Sequence, residues 1–225
     1  MMFFKKKDNT SQLEKLIADY GRMQSPKTLN QILELFPTVP LYYGSLKTEI
    51  GPDNFPYLNV ELRSENENKT SLKELAEQAL QGGFGVTINK SDNRVDWVFS
   101  LGDFISLARA GRLVSYIGTA GFQSKRVAAE IKVQVGAPNE DIIPMTVRKH
   151  LRSYMKTALQ IADPKFYLML NPKDNPPWTI MFNFSRKDFG SEAEYQLALG
   201  HLSWFFPKTV FTGCVENDSN QFFEI

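Results

Sequence analysis

Histidine and cysteine are nearly missing from this 225-residue chain: His150, His201 and Cys214 are its whole supply. Three such donors cannot complete the four-ligand shell of a structural zinc centre without carboxylates, and no Asp-x-Asp-x-Asp-Gly loop offers calcium a cage. No metal and no cofactor is expected. A lone thiol excludes an internal disulfide and favours a reducing compartment. Long apolar runs are missing as well. None approaches the roughly 18 residues that cross a bilayer, and Met1 to Phe4 run straight into three lysines and the polar Asp8 to Gln12, which is not a secretory core. The reading is a cytoplasmic protein without a membrane partner.

Excess charge of either sign is also lacking. The 26 basic and 25 acidic residues leave +1, and neither the part up to Ala120 nor the remainder is strongly charged. Without a basic field or an aromatic-and-glycine recognition motif, nucleic acid is disfavoured as a partner.

Catalytic signatures are equally sparse. No Gly-x-Ser-x-Gly elbow occurs. Gly82-Gly83-Phe84-Gly85 leaves a helical pattern and enters a strand pattern, the reverse of the strand-to-helix order that aims a helix N-terminus at phosphate. It reads as a helix cap and a bend. Cys214 and His201 are the one thiol pairing worth testing, yet Cys214 between Gly213 and Val215 has the setting of an inert buried side chain. Asp92, Asp96 and Asp103 fit a turn former, a strand-surface residue and a first-turn helix acid. No catalytic residue is assigned, and the balance leans away from an enzyme.

What is present is well-patterned secondary structure. Ser11-x-x-Glu14 predicts a capping box ahead of Leu13, Leu16, Ile17 and Tyr20, and Ser25-Pro26 predicts a second helix carrying Leu29, Ile32, Leu33 and Phe36, stopped by Pro37. Extended segments are predicted at Val39 to Leu46 and Tyr57 to Leu62, with turn chemistry in Gly51-Pro52-Asp53-Asn54 between them. Ser71-x-x-Glu74 caps a helix ending at Gly82, followed by strands Phe84 to Asn89 and Val95 to Ser100, a helix Leu101 to Ala110 and a strand Arg112 to Ile117. The order helix, strand, strand, helix, strand returns: a helix Met145 to Ile161, strands Lys165 to Leu170 and Trp178 to Phe184, a helix Glu192 to Phe206 and a strand Thr209 to Val215. The turns Asn89-Lys90-Ser91-Asp92-Asn93 and Asn171-Pro172-Lys173-Asp174-Asn175 match at an offset of 82 residues.

The fold class expected is therefore α+β, antiparallel sheets with helices on their faces, read as two related α-β-β-α-β halves. The halves are 1–120, with two leading helices, and 121–225, opened by a strand Glu130 to Val135. The glycine-punctuated stretch Thr119 to Pro144 is the junction.

Two features point to a partner. The helix from Met145 contains no acid but carries Arg148, Lys149, Arg152 and Lys156, three of them at i, i+4 and i+8, while Val147, Leu151, Tyr154, Ala158 and Ile161 should face the core. The stripe is either a solvated face whose cations pair with acids elsewhere or a docking site for an acidic surface. In the helix from Glu192, Tyr195, Leu199, Leu202 and Phe206 make one apolar side and Leu197, His201 and Trp204 another. That helix is sandwiched, or it offers Trp204 as an anchor. The function expected is a non-catalytic protein-interaction module that binds and neutralises or regulates one partner. The alternatives are a small-molecule enzyme or ligand-binding protein using Asp92, Asp96, Asp103 or Asp174 in a groove between the halves, and a structural homo-oligomer held by the Trp204 surface.

Overall fold

The computed structural model describes residues 9–92, 94–114, 133–174, 176–215 and 222–225. The chain divides into two compact units, Met1–Ser100 with Ser106–Ser115, and Leu101–Ile105 with Tyr116–Ile225. The boundary expected between residues 120 and 121 lies outside the described residues, as does the junction up to residue 132.

In the first unit, helix α1 (Thr10–Arg22) starts from Asn9, so Ser11 sits inside it and the expected capping box does not form. Arg63 explains why: its guanidinium donates to both Glu14 oxygens at 2.8 and 3.0 Å and to the Ser11 hydroxyl at 2.6 Å. A charge-assisted fork outcompetes a neutral cap bond for the same side chains. Helix α2 (Pro26–Leu35) has Ser25 as N-cap and proline in its first turn, buries Leu29, Ile32 and Leu33, and runs into a 3-10 turn at Phe36–Thr38.

Strand β1 (Leu41–Tyr42) is shorter than predicted, and β2 (Thr48–Ile50) was not anticipated. The predicted turn joins β2 to β3 (Pro56–Val60), with Asn54 in the left-handed region at φ 65°. Strand β4 (Lys69–Thr70) pairs antiparallel with β1. Helix α3 (Leu72–Gly82) carries the predicted Ser71/Glu74 capping box with both bonds made. Gly83, rather than Gly82, is its left-handed cap at φ 69°, a conformation that costs glycine nothing and other residues about 1 kcal/mol.

Strands β5 (Gly85–Ile88) and β6 (Trp97–Phe99) complete a sheet of order β2-β3-β5-β6. Its inner face carries Leu58, Val60, Val86, Ile88 and Phe99, each at most 1% exposed. The Phe36 and Phe99 rings meet edge to face at 4.8 Å, and Trp97 lies against Phe36 and Tyr20. Helix α4 (Leu101–Ala110) follows. Beyond it, Arg112 to Val114 are not in a strand, and the rest of that predicted strand lies outside the described residues.

The second unit holds β7 (Gln134–Gly136), α5 (Met145–Thr157), β8 (Lys165–Leu170), β9 (Trp178–Phe182), α6 (Glu192–Ser203), β10 (Val210–Cys214) and β11 (Phe223–Glu224). The first residues of the strand expected at Glu130 to Val135 lie outside the described ones. The sheet order is β10-β9-β8-β11, with β7 on β8 beside β11. Phe166, Ile180 and Phe182 on the inner face are fully buried. There the Phe182 ring meets Phe206 at 5.9 Å, and Tyr195 of α6 faces Phe184 at 6.5 Å. At the start of α4, the Gly102 amide donates to the Trp204 carbonyl at 3.1 Å, and a Cβ on Gly102 would lie 1.8 Å from the Phe206 carbonyl oxygen. Only glycine allows that crossing.

The class is α+β, and both main sheets are mixed: β3 with β5, and β9 with β10, run parallel because a helix carries the chain back between them. A hairpin, a helical return and a parallel partner recur as β2-β3-α3-β5 and β8-β9-α6-β10. That frame matches α3 to α6, whereas the turn likeness matches α3 to the helix at Met145, so duplication is not confirmed. The turns themselves differ: the Asn171 amide donates to Asp174, but the Asn89 amide donates to Asp96.

Candidate functional site

Helix α5 follows Pro144, and the Glu140 carboxylate accepts the Met145 amide at 2.9 Å. Its buried stripe is Val147, Leu151 and Met155, each 0% exposed, at i, i+4 and i+8. Tyr154 is half-buried and Ala158 is exposed, because the helix ends at Thr157. The predicted apolar side is thus corrected at its far end, where Met155 takes the core position.

Arg148 does not belong to the exposed cations. Its guanidinium donates to the Ile143 carbonyl at 3.1 Å and the Pro138 carbonyl at 2.6 Å, and lies 5.5 Å from the centre of the Phe166 ring. It clamps the turn before α5 onto the sheet, a structural use of a planar five-donor group. Lys149, Arg152 and Lys156 remain exposed on one side. At 1.5 Å of rise per residue they span about 10 Å over two turns. Arg152 reaches only the tip of Glu224, at 4.0 Å with that carboxylate 80% exposed. Lys149 and Lys156 make no ion pair or side-chain hydrogen bond among the described residues. Like charges at this spacing oppose the helix by a few tenths of a kcal/mol per pair.

Trp204 is apart from this face. It caps the end of α6 at 9% exposure, its ring 5.1 Å from that of Phe205. Trp204 is buried rather than offered as an anchor, but Leu197 on the same side of α6 is 59% exposed, so the helix is not sandwiched along its length. His201 is half-buried, with Nδ1 2.7 Å from the Tyr154 hydroxyl, which ties α6 to α5.

Cys214 does not meet His201 as a reactive pair. Its hydrogen-bond partner is Tyr195, and burial pushes the thiol well above its usual range, so it stays protonated. Burial likewise pushes the Tyr195 hydroxyl up to about 12, with the neighbouring Cys214 adding to the shift.

Three of the four candidate carboxylates are taken up locally. Asp92 is exposed in the hairpin turn. Asp96 accepts from Asn89 and pairs with Arg94 at 2.9 Å. Asp103, 3% exposed, pairs with Lys208 at 2.8 Å, and Asp174 accepts from Asn171 at 2.8 Å. No cluster of three or more metal-ligating side chains occurs among the described residues, and none of their helices is long and apolar enough to cross a membrane. An open groove of about 480 Å³ in the first unit is lined by Ile17, Gly21, Arg22, Arg94, Val95 and Asp96. Its arginines already face Asp19 and Asp96.

Sequence reading missed the outer face of the second sheet. The register places Val135, Met169, Thr179 and Phe211 in one row across four strands, and Tyr167 and Met181 beside them. Val135 and Phe211 are both 37% exposed. The signal was available: Phe166 to Leu170 is apolar at every position, so both faces of β8 had to be apolar.

No protein-family model, curated protein or solved structure matches the chain.

Proposed function

We propose that this protein is a non-catalytic interaction module that binds one partner protein through the Lys149, Arg152 and Lys156 face of α5, in the cytoplasm. The observation that carries the reading is that Lys149 and Lys156 have no partner among the described residues. Three cations on two turns of a helix without an acid favour a surface with carboxylates at matching spacing. Of the carboxylates considered for catalysis, Asp96, Asp103 and Asp174 are each engaged by a neighbour and Asp92 stands exposed in a turn, which argues against the enzyme alternative. A single protonated thiol suits a reducing compartment.

The test is capture from native lysate with the wild-type chain and with Lys149→Glu/Lys156→Glu as baits, after circular dichroism shows equal folding. Recovery of one stoichiometric protein by the wild type, lost in the variant and weakened by salt, supports the proposal. Equal recovery by both baits rejects the face, and recovery of no protein rejects the function. Cationic rim residues act chiefly on association rate and salt dependence.

A further inference from the structure

Sheet edges expose unpaired backbone groups, and proteins protect them with charge, proline or brevity. The first unit follows this rule. Its edge strand β2 carries Glu49 bound to Lys90 at 2.6 Å and is flanked by Lys47 and Pro52, while β6 has three residues behind Arg94 and Asp96. One edge of the second sheet is occupied twice, by β7 and β11 on β8.

Strand β10 has such residues only outside its own length, in Pro207, Lys208 and Glu216. Val210-Phe211-Thr212-Gly213-Cys214 contains no charge and no proline, and its one strand neighbour among the described residues is β9. The Val215 amide donates to the Phe182 carbonyl at 3.0 Å, which fixes the alternation: Phe211, Gly213 and Val215 turn their backbone groups to β9, and Thr212 and Cys214 turn theirs outward. Among the described residues nothing hydrogen-bonds to these outward groups.

We infer that β10 pairs antiparallel with β10 of a second copy of this chain, about a two-fold axis at Thr212. In that register the two Thr212 residues exchange both backbone bonds, and each Cys214 amide reaches the other copy's Val210 carbonyl. The Val210 amide is already used by Pro207, so the pair gains four bonds. Phe211 then falls opposite Gly213 of the other copy, in the close-approach position where a large side chain covers a glycine. Gly213 lies under Met181, since a Cβ there would stand 2.8 Å from its sulfur, so the incoming ring also meets a thioether. The self-complementary pairing of Phe with Gly selects a second copy over an arbitrary peptide. Lys208, two residues before the strand, is held by Asp103, and Glu216, two residues after it, has the opposite sign.

The test is sedimentation equilibrium of the full chain over a concentration series, with amide exchange of the 210–214 segment read in parallel. A mass rising to twice 25.7 kDa, with slower exchange at Thr212 and Cys214, supports the inference. Phe211→Lys should weaken the dimer at least tenfold by placing a charge at the edge. If that variant fails to fold, Val215→Lys serves as the same test. A monomer at every concentration overturns the pairing, as does a dimer whose strength neither lysine changes.

Discussion

The two main sheets share a hairpin, a helical return and a parallel partner, yet they finish their second faces in opposite ways. In the first, Lys90, Glu49, Asn59 and Thr87 form a polar chain across β2, β3 and β5, with Thr87 6% exposed. In the second, Val135, Met169, Thr179 and Phe211 lie in register with no such chain among the described residues, and Val135 and Phe211 remain over a third exposed. The difference teaches that the same connectivity is compatible with a face crossed by hydrogen-bonded polar side chains and with one that is mostly apolar. The inner faces, packed with phenylalanine and aliphatic side chains, provide the stability in both.

The sharpest way to break the comparison is to put one charge on each outer face. Thr87→Lys should cost roughly 3–5 kcal/mol, because the ammonium would be buried without a counter-ion. Met169→Lys should stay within about 1 kcal/mol, because the long stem lies along the sheet while the charge reaches water. Urea midpoints of the two variants measure the gap, and equal losses would erase the distinction between the faces.

A smaller effect is expected from truncating one polar residue in each row. Asn59→Ala removes the acceptor of the Thr87 hydroxyl and should cost about 1–3 kcal/mol, the penalty of a buried donor left unsatisfied. Thr179→Ala, with no such dependent, should cost about 0.5 kcal/mol or less. Adding Thr87→Val to Asn59→Ala should recover part of the first loss, and a double-mutant cycle without coupling would show that the chain across the sheet contributes nothing.

The smallest effect is in the pH dependence. Hydrogen bonds from Lys90 and then Asn59 hold the Glu49 carboxyl below its usual range. A depressed carboxylate contributes stability that is present above its unfolded value and is lost as pH falls through the folded one. Glu49→Gln should therefore flatten the acid limb of the stability curve between about pH 5 and pH 3. Its behaviour near neutrality should change little, because the pair is exposed and solvent-screened. An unchanged acid limb would dissociate Glu49 from the ladder.

Local signals in the sequence carried furthest where all the competitors for a group lie within a few residues. The Ser71/Glu74 box formed as written because its donors and acceptors are three residues apart. The Ser11/Glu14 box has the same spelling and did not form, since Arg63, 49 residues beyond Glu14, claims both side chains. Strand β2 escaped notice because three half-polar residues carry no period of their own and acquire strand geometry only by pairing with β3. The same logic applies to the candidate site. The cation spacing on α5 was plain from the sequence, but the capture of Arg148 by two carbonyls, and so the shift of the exposed stripe to Lys149, Arg152 and Lys156, depended on where residues 138–143 fold.

By itself, then, the sequence determined the α+β class, the extents of α3, α5 and β8 to within a few residues, and the poverty of metal and thiol chemistry, because composition and short-range periodicity do not depend on distant neighbours. Tertiary structure alone decided which helix cations stay without a counter-ion among the described residues, that Trp204 is buried, and that β10 has β9 as its one strand neighbour among those residues. Those outcomes depend on which groups far apart in the chain compete for the same donors, acceptors and space, and that competition exists only once the chain has folded.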